Sequence, residues 1–475
     1  MLISVQNILG GQLSAISGQH LEIELPMSKS ESNRALMIAH YAGIQCFDDL
    51  ETRCLGDSVS LSDSDDTVLL QKLLNTLNQY IQNPKSEVRS PLTLELDCHN
   101  AGTVFRFLMT AVANLHLGDL ESRGLGVLLT GSERMKNRPI DSLVEALRNL
   151  GVAIEYTEKE GYPPILLTAL MVNSQQSTDN RQQTLSTTLH PTLSTLNSLK
   201  ISAEQSSQFA SSLLLASPLW KDGLELHLTG NLSSLPYIDM TINMMRQCGV
   251  DVVRNDRDIT VKQGIYNIEN IKVEPDWSAA AFWYEMVSLS DDAEVMLKNL
   301  NINSLQADAA AIKMFENLGV KTIATEEGAV IKKANSQQPT ANSQQSTFNF
   351  QFSTFNFKDC PDLFPAVIAA CAGNKVNATF MGLKNLSIKE SDRKRAMMNE
   401  LSKINIAFED VSDDELKMFC PDELPYFTEE NPIIFNNYED HRIAMALSIL
   451  SMKIGAISME NVEVVSKSYP GFFSL

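Results

Sequence analysis

Apolar positions along the chain fall into two alternating periods. The stretches ALRNLGVAIEY (146–156), NMMRQCGVDVV (243–253) and MFENLGVKTIA (314–324) pass from helical spacing, through a glycine, into strand-like alternation. A fourth, ELSKINIAFED (400–410), has Asn where the others have Gly. Each predicts a helix closed by a residue in the left-handed conformation and followed directly by a strand. The marker residues Gly151, Gly249, Gly319 and Asn405 lie 98, 70 and 86 residues apart. Two segments rich in Gln, Ser, Thr and Asn, about 172–198 and about 334–357, both contain NSQQST and account for the longer intervals. Their composition predicts surface insertions with no core of their own. Without them the repeat is roughly 65–70 residues, and a further copy is expected before Gly151, ending near Leu77–Ile81. The pattern predicts an α/β protein built from several similar modules.

A chain of 475 residues has room for two to four domains. No stretch approaches the ~18 consecutive apolar residues of a membrane span. The first residues carry no Lys or Arg ahead of their apolar positions, which speaks against a secretory signal. The seven cysteines (Cys46, Cys54, Cys98, Cys248, Cys360, Cys371 and Cys420) are widely spaced, with no Cys-x-x-Cys pair. They predict reduced thiols in a cytoplasmic protein, with neither a disulfide framework nor a metal knuckle. The net charge of −20 disfavours nucleic acid as a partner. An anionic ligand would therefore need a local cluster of cations within an acidic protein.

Such clusters are present, several of them at what reads as the start of a helix. Ser28-Lys29-Ser30 with Arg34 precedes ALMIAHYA, and Asn100-Ala101-Gly102-Thr103 precedes VFRFLMTAVANL with Arg106 one turn in. Asn100 is expected to cap that helix, and Gly102 to let a ligand approach the backbone. Arg134-Met135-Lys136-Asn137-Arg138 places three cations ahead of Pro139, which is expected at a first helical position. Glu204-Gln205-Ser206-Ser207-Gln208 supplies short polar groups that suit a phosphate or a polyol. In Asn385 to Arg393, Lys389 and Arg393 stand four apart, on one face if the segment is helical, with Glu390 between them as a candidate acid/base group. Tyr438-Glu439-Asp440-His441-Arg442 leads into the apolar IAMALSIL, and Lys467 lies near the C-terminus. Backbone N–H groups and the helix dipole favour anions at such starts. There is neither a nucleotide-binding glycine loop nor a metal signature. The set implies substrates that carry several phosphates and carboxylates.

The wording and order of these segments, from LPMSKSESNRAL through LSDSDDT, NAGTVFR, TGSERMKNRPI, SLPYIDMT, VEPDWSAAAF, PDLFPA and IKESDRKRAM to NNYEDHRIAM and SKSYPGFF, resemble the 5-enolpyruvylshikimate-3-phosphate synthase family. The resemblance implies an inside-out α/β barrel of two globular domains, each of three βαβαββ units. One domain would span 28–274, and the other would combine 1–27 with 275–475. It implies transfer of enolpyruvyl from phosphoenolpyruvate to the 5-hydroxyl of shikimate-3-phosphate, without metal or organic cofactor, by a monomer. By similarity Lys29, Asp362 and Glu390 are catalytic, with Asp362 the base at the hydroxyl and Glu390 the proton carrier at C3. Asn100, Gly102, Thr103, Arg134, Arg393, His441, Arg442 and Lys467 would join Lys29 around phosphoenolpyruvate. Ser30, Arg34, Ser206, Ser207, Gln208, Ser234, Tyr237, Asn385 and Lys389 would join Lys29 and Asp362 around shikimate-3-phosphate.

Two positions depart from the family pattern. Met27 stands where the family usually has Gly, which predicts a differently shaped turn before Lys29. Phe107 stands where Pro usually follows the arginine, which predicts a shifted helix, a shifted Gly102 wall and an altered response to glyphosate, the family's inhibitor. Two alternatives remain beside this reading. One is the related transferase acting on UDP-N-acetylglucosamine, whose hallmark cysteine is missing from the loop Gly131–Lys136. The other is a non-catalytic anion-binding protein of the same fold.

Overall fold

The computed structural model describes residues 3–4, 20–43, 59–82, 93–116, 126–168, 198–202, 206–232, 234–334 and 352–473. Residues 172–197 and 335–351 of the two low-complexity segments, together with Cys46, Cys54, Glu204 and Gln205, lie outside them.

All four helix-to-strand junctions form as their sequences predict. The helices Asp141–Asn149, Leu235–Gln247, Ala311–Glu316 and Arg393–Ser402 lead into the strands Ala153–Tyr156, Val252–Asn255, Val320–Thr325 and Ala407–Ser412. Gly151, Gly249, Gly319 and Asn405 adopt φ of 91°, 84°, 79° and 66°. That conformation costs glycine least and asparagine little. The likeness extends to side chains. Arg148 and Arg246, each three residues before the glycine, each donate two hydrogen bonds to the carbonyl six residues on, Ile154 and Val252.

Each junction belongs to a four-stranded sheet, and the four sheets share one topology. The first two strands of the unit are parallel, and a hairpin of the last two packs antiparallel against the second. This gives Thr93–Asp97 beside Gly126–Thr130, Ser198–Ser202 beside Leu224–Thr229, His20–Ile23 beside Glu294–Lys298, and Ser353–Asn356 beside Ala378–Met381. Parallel neighbours need a crossover helix, so each sheet is a βαβαββ unit. A three-stranded sheet begins the same way: Ile433–Phe435 is parallel to Ile457–Met459, which pairs antiparallel with Ile3–Ser4.

The crossover helices lie inside and the sheets outside. The helices Trp277–Leu289, Phe364–Gly373 and His441–Ile449 are buried almost all round and pack on one another. A helix apolar on every face belongs in an interior. The helices Lys29–Tyr41, Gly102–His116 and Ser207–Ala216 form a second trio. The buried apolar side chains form two clusters accordingly, one from Ala35 to Ile271 and one combining Ile23 and Leu25 with Trp277 to Phe472. The chain passes between them twice, at neighbouring points. Met27 and Pro275 form an antiparallel bridge, with Ser28 N–H donating to Glu274 O (2.8 Å) and Asp276 N–H to Pro26 O (2.9 Å). Met27 therefore sits in paired extended chain without a positive φ, and the turn before Lys29 does not require glycine. Among the described residues no helix is long and apolar enough to cross a membrane.

Candidate functional site

The N-terminal ends of the inner helices meet in one cavity between the two clusters, with a volume of about 90 Å3. Seven Lys or Arg residues line it against three carboxylates, so it is cationic within a protein of net charge −20.

One wall comes from the trio that begins at Lys29. Ser28 caps its helix by accepting from Glu31 N–H, and Lys29 projects into the cavity with its Nζ 3.2 Å from Asp66. Arg34 is buried one turn on. Its guanidinium donates to Thr241 Oγ1 (2.7 Å), Ser30 O (2.7 Å), Tyr237 O (3.2 Å) and Ser211 Oγ (3.4 Å). Among the described residues no carboxylate balances it at hydrogen-bond distance, and burial lowers its pKa to about 10. Ser206 caps the helix Ser207–Ala216. Gln208 then bridges two helices, accepting from Arg106 (2.7 Å) and donating to Thr103 Oγ1 (2.6 Å). Ser234, at φ 55°, heads the helix carrying Tyr237, and burial holds the Tyr237 phenol protonated.

Gly102 opens the helix Gly102–His116, and a Cβ there would stand 2.4 Å from Arg138 Nη1. Only glycine lets this guanidinium lie against the helix start. Arg138 is buried, and its Nε and Nη1 have no partner among the described residues. Asn100 does not cap this helix: Ala101 holds the cap position, and Asn100 Oδ1 is buried without a partner among the described residues. Pro139 likewise precedes its helix, which begins at Asp141 after Ile140.

The opposite wall starts from aspartates at the heads of the other trio. Asp276 caps the helix Trp277–Leu289 and also accepts from Lys29 N–H (3.2 Å). Asp440 caps the helix His441–Ile449, and Asp362 lies in the single turn before the helix Phe364–Gly373. Arg393, 1% exposed, joins the acids of this wall. It donates to Asp362 (2.6 Å), Glu390 (3.0 Å) and Asp440 (2.8 Å). Lys389 (3.3 Å) and Arg442 (3.2 Å) also meet Asp362. Lys389 and Arg393 converge on Asp362 without sharing a helix, because Asp392 caps a helix that begins only at Arg393. Asn385 lines the cavity from the preceding turn.

Electrostatics separate the groups. Burial alone would raise the Asp362 carboxyl, but Arg442, Lys389 and Arg393 hold it well below the usual range. Burial also opposes ionisation of Glu390, which Lys467, Arg393 and Arg138 outweigh, so both carboxyls are anions. His441 is driven well below its ordinary value by burial, then by Lys29 and Arg442, and stays neutral.

Three expected residues fall outside the cavity wall. Arg134 instead clasps the segment opposite, donating to the carbonyls of Ser387 (3.1 Å), Lys389 (2.8 Å) and Glu390 (3.0 Å). Lys467 ties Asn100 O (3.0 Å) to Glu390 (3.5 Å). Asn100 and Arg134 line a neighbouring cavity. Conversely Asp66, Arg106 and Arg138 line the main cavity. Their signals lay in LSDSDDT, NAGTVFR and RMKNRPI, where Arg134 and Arg138 compete for one role.

Inner helices whose starts form a cationic cleft around two ionised carboxylates define an α/β enzyme acting on multiply charged anions. A family model described as EPSP synthase (3-phosphoshikimate 1-carboxyvinyltransferase) matches residues 13–475. A 3-phosphoshikimate 1-carboxyvinyltransferase of Bacteroides fragilis is 34% identical, over 97% of this chain and 95% of the relative. One from Sulfurovum is 29% identical, over 96% and 95%. The EPSP synthase structure from Acinetobacter baumannii superposes with a TM-score of 0.61 at 20% identity, covering 95% of this chain and 94% of that one. The chain belongs to the EPSP synthase family.

Proposed function

We infer that the chain transfers the enolpyruvyl group of phosphoenolpyruvate to the 5-hydroxyl of shikimate-3-phosphate, releasing phosphate, in aromatic amino acid biosynthesis. The observation that carries this reading, beside family membership, is the pair Asp362 and Glu390 joined by one buried guanidinium, Arg393. Asp362 takes the hydroxyl proton as the oxygen attacks C2 of phosphoenolpyruvate, and C3 gains a proton from Glu390. Collapse then returns a C3 proton to Glu390 while the C2–O bond to phosphate breaks. Lys29 stands between the substrates and stabilises the charge that develops. Glu390 is held ionised by surrounding cations. The phosphate and carboxylate charges of phosphoenolpyruvate offset those cations and raise its affinity for a proton, so donor binding prepares the acid.

Arg34, Ser206, Ser207, Gln208, Ser234 and Tyr237 hold shikimate-3-phosphate from one side, with Ser30, Asn385 and Lys389 completing its contacts. Arg138, Arg393 and Arg442 clamp phosphoenolpyruvate, with Gly102, Thr103 and His441 as walls. Arg134, Asn100 and Lys467 act by latching the half 28–274 to the half that combines 1–27 with 275–475. A cavity of about 90 Å3 is too small for both substrates, so entry requires the halves to part and catalysis requires them to close. One chain supplies every wall, which supports action as a monomer.

The test follows phosphate release from phosphoenolpyruvate with shikimate-3-phosphate, and in parallel with UDP-N-acetylglucosamine. Release with the shikimate ester, abolished in Glu390→Gln and Asp362→Asn, is expected. Release with the sugar nucleotide alone, or with neither, overturns the assignment.

A further inference from the structure

We propose that Glu400, outside the cavity, is a positioning residue for the phosphoenolpyruvate half of the site. The role rests on the functional reading above. Glu400 lies on the helix Arg393–Ser402, two turns after Arg393, and is 2% exposed. Its carboxylate accepts from Asn436 N–H (2.9 Å), Tyr438 O–H (2.9 Å) and Lys403 Nζ (2.6 Å).

The first two of these bonds hold a strained turn. Tyr438 and Glu439 carry φ of 54° and 55°, two consecutive non-glycine residues in the left-handed region. Such conformations persist only where surrounding structure over-determines them. Here Asn436 Oδ1 accepts from Tyr438 N–H (2.7 Å), Asn437 Oδ1 accepts from Glu439 N–H (3.0 Å), and Asn437 Nδ2 donates to Glu460 O (2.6 Å). Glu400, with a weaker bond from Asn399 Nδ2 to the Tyr438 hydroxyl (3.4 Å), links this turn back to the helix of Arg393.

The next residue after the turn is Asp440, which caps Arg442 N–H (3.0 Å) and accepts from Arg393 (2.8 Å). Arg393 and Glu400 therefore grip the two ends of one turn from one helix. That turn sets Asp440 against Arg393 and places His441 and Arg442 on the cavity wall, while the residues read as holding shikimate-3-phosphate sit on other elements. Loosening the turn should weaken one substrate and spare the other.

The experiment compares Glu400→Ala, Glu400→Gln and Tyr438→Phe with the parent by initial-rate phosphate release, varying each substrate. Hydrogen exchange of the peptide spanning 436–442 is measured alongside. In Glu400→Ala the KM for phosphoenolpyruvate should rise on the order of ten- to hundredfold, while that for shikimate-3-phosphate stays within about twofold. Exchange should quicken in 436–442 and nowhere else. Glu400→Gln, which still accepts from Asn436 N–H, should recover most of the loss. Tyr438→Phe, which removes the bond to Glu400 and the weaker one accepted from Asn399 Nδ2 (3.4 Å), should show the same split at about three- to tenfold. If Glu400→Ala does not fold, Tyr438→Phe decides by its split. Equal effects on both substrates, or no quickening at 436–442, overturn the proposal. A parent with no phosphate release overturns the functional reading instead, and the exchange data then decide whether Glu400 holds the turn.

Discussion

Gly102→Ala is the sharpest probe of the site. The new Cβ would lie 2.4, 2.6 and 2.7 Å from Nη1, Cζ and Nη2 of Arg138, where ordinary contact begins near 3.4 Å. The guanidinium must therefore withdraw by about 1 Å. It has little room, because Arg138 is buried and Arg106 lies close enough for the two charges to repel. The withdrawal takes Nε and Nη1, which have no partner among the described residues, away from the position proposed for phosphoenolpyruvate. Losing one charge-assisted hydrogen bond costs about 1.5–3 kcal/mol. That predicts a rise of about 10- to 150-fold in the KM for phosphoenolpyruvate. Shikimate-3-phosphate, proposed to be held by Arg34 and Ser206–Gln208, should be little affected. The assay is initial-rate phosphate release with each substrate varied against saturating levels of the other. A folded variant whose phosphoenolpyruvate KM moves less than twofold would refute both the close packing and the role of Arg138.

Other substitutions separate the remaining roles. Arg138→Ala should raise the phosphoenolpyruvate KM selectively, whereas Arg134→Ala should weaken both substrates by loosening closure; identical kinetic signatures would discredit the distinction. The Phe107 ring lies 5.7 Å from the Arg34 guanidinium, a contact of about 0.5–2 kcal/mol. Phe107→Pro should therefore raise the KM for shikimate-3-phosphate a few-fold and change the glyphosate inhibition curve, and superimposable curves would count against it. Burial pushes Glu31 up to about 8 from 4.5, with the Glu274 carboxylate adding to the rise and the Glu274 N–H opposing it. Between those values the folded chain holds a proton that the unfolded chain has lost, so stability falls as pH rises through this window. Urea titrations of Glu31→Gln should show a flatter fall, and an unchanged slope would exclude Glu31 as its source.

The repeat was legible because its marker is a backbone requirement: a left-handed closure admits Gly and Asn and little else, so Gly151, Gly249, Gly319 and Asn405 stand out in one sequence. The order of strands in each sheet was not, since pairing depends on contacts far apart in the chain. Within the site, residues at helix starts such as Lys29, Ser206 and Arg442 were visible because caps and apolar runs flank them. The respective places of Arg134 and Arg138 were not. Both lie in one basic stretch, and only the close approach to Gly102 shows which guanidinium faces the cavity. Lys389 and Arg393 misled in the same way, because a spacing of four implies a shared face only within one helix, and Asp392 starts the helix between them.

The bridge between Met27 and Pro275 bears on how the chain is made. Strand His20–Ile23 pairs with Glu294–Lys298, so one βαβ crossover is interrupted by everything in between. As the ribosome extends the chain, that strand emerges ahead of the Ala35–Ile271 core, and its partner emerges only after that core has left the tunnel. Burial of that separate apolar cluster, with Met27 bridged to Pro275, brings the ends of the intervening chain together and converts a very long loop closure into a short one. Substitutions that slow that burial should therefore delay the other half as well, even where they touch none of its residues.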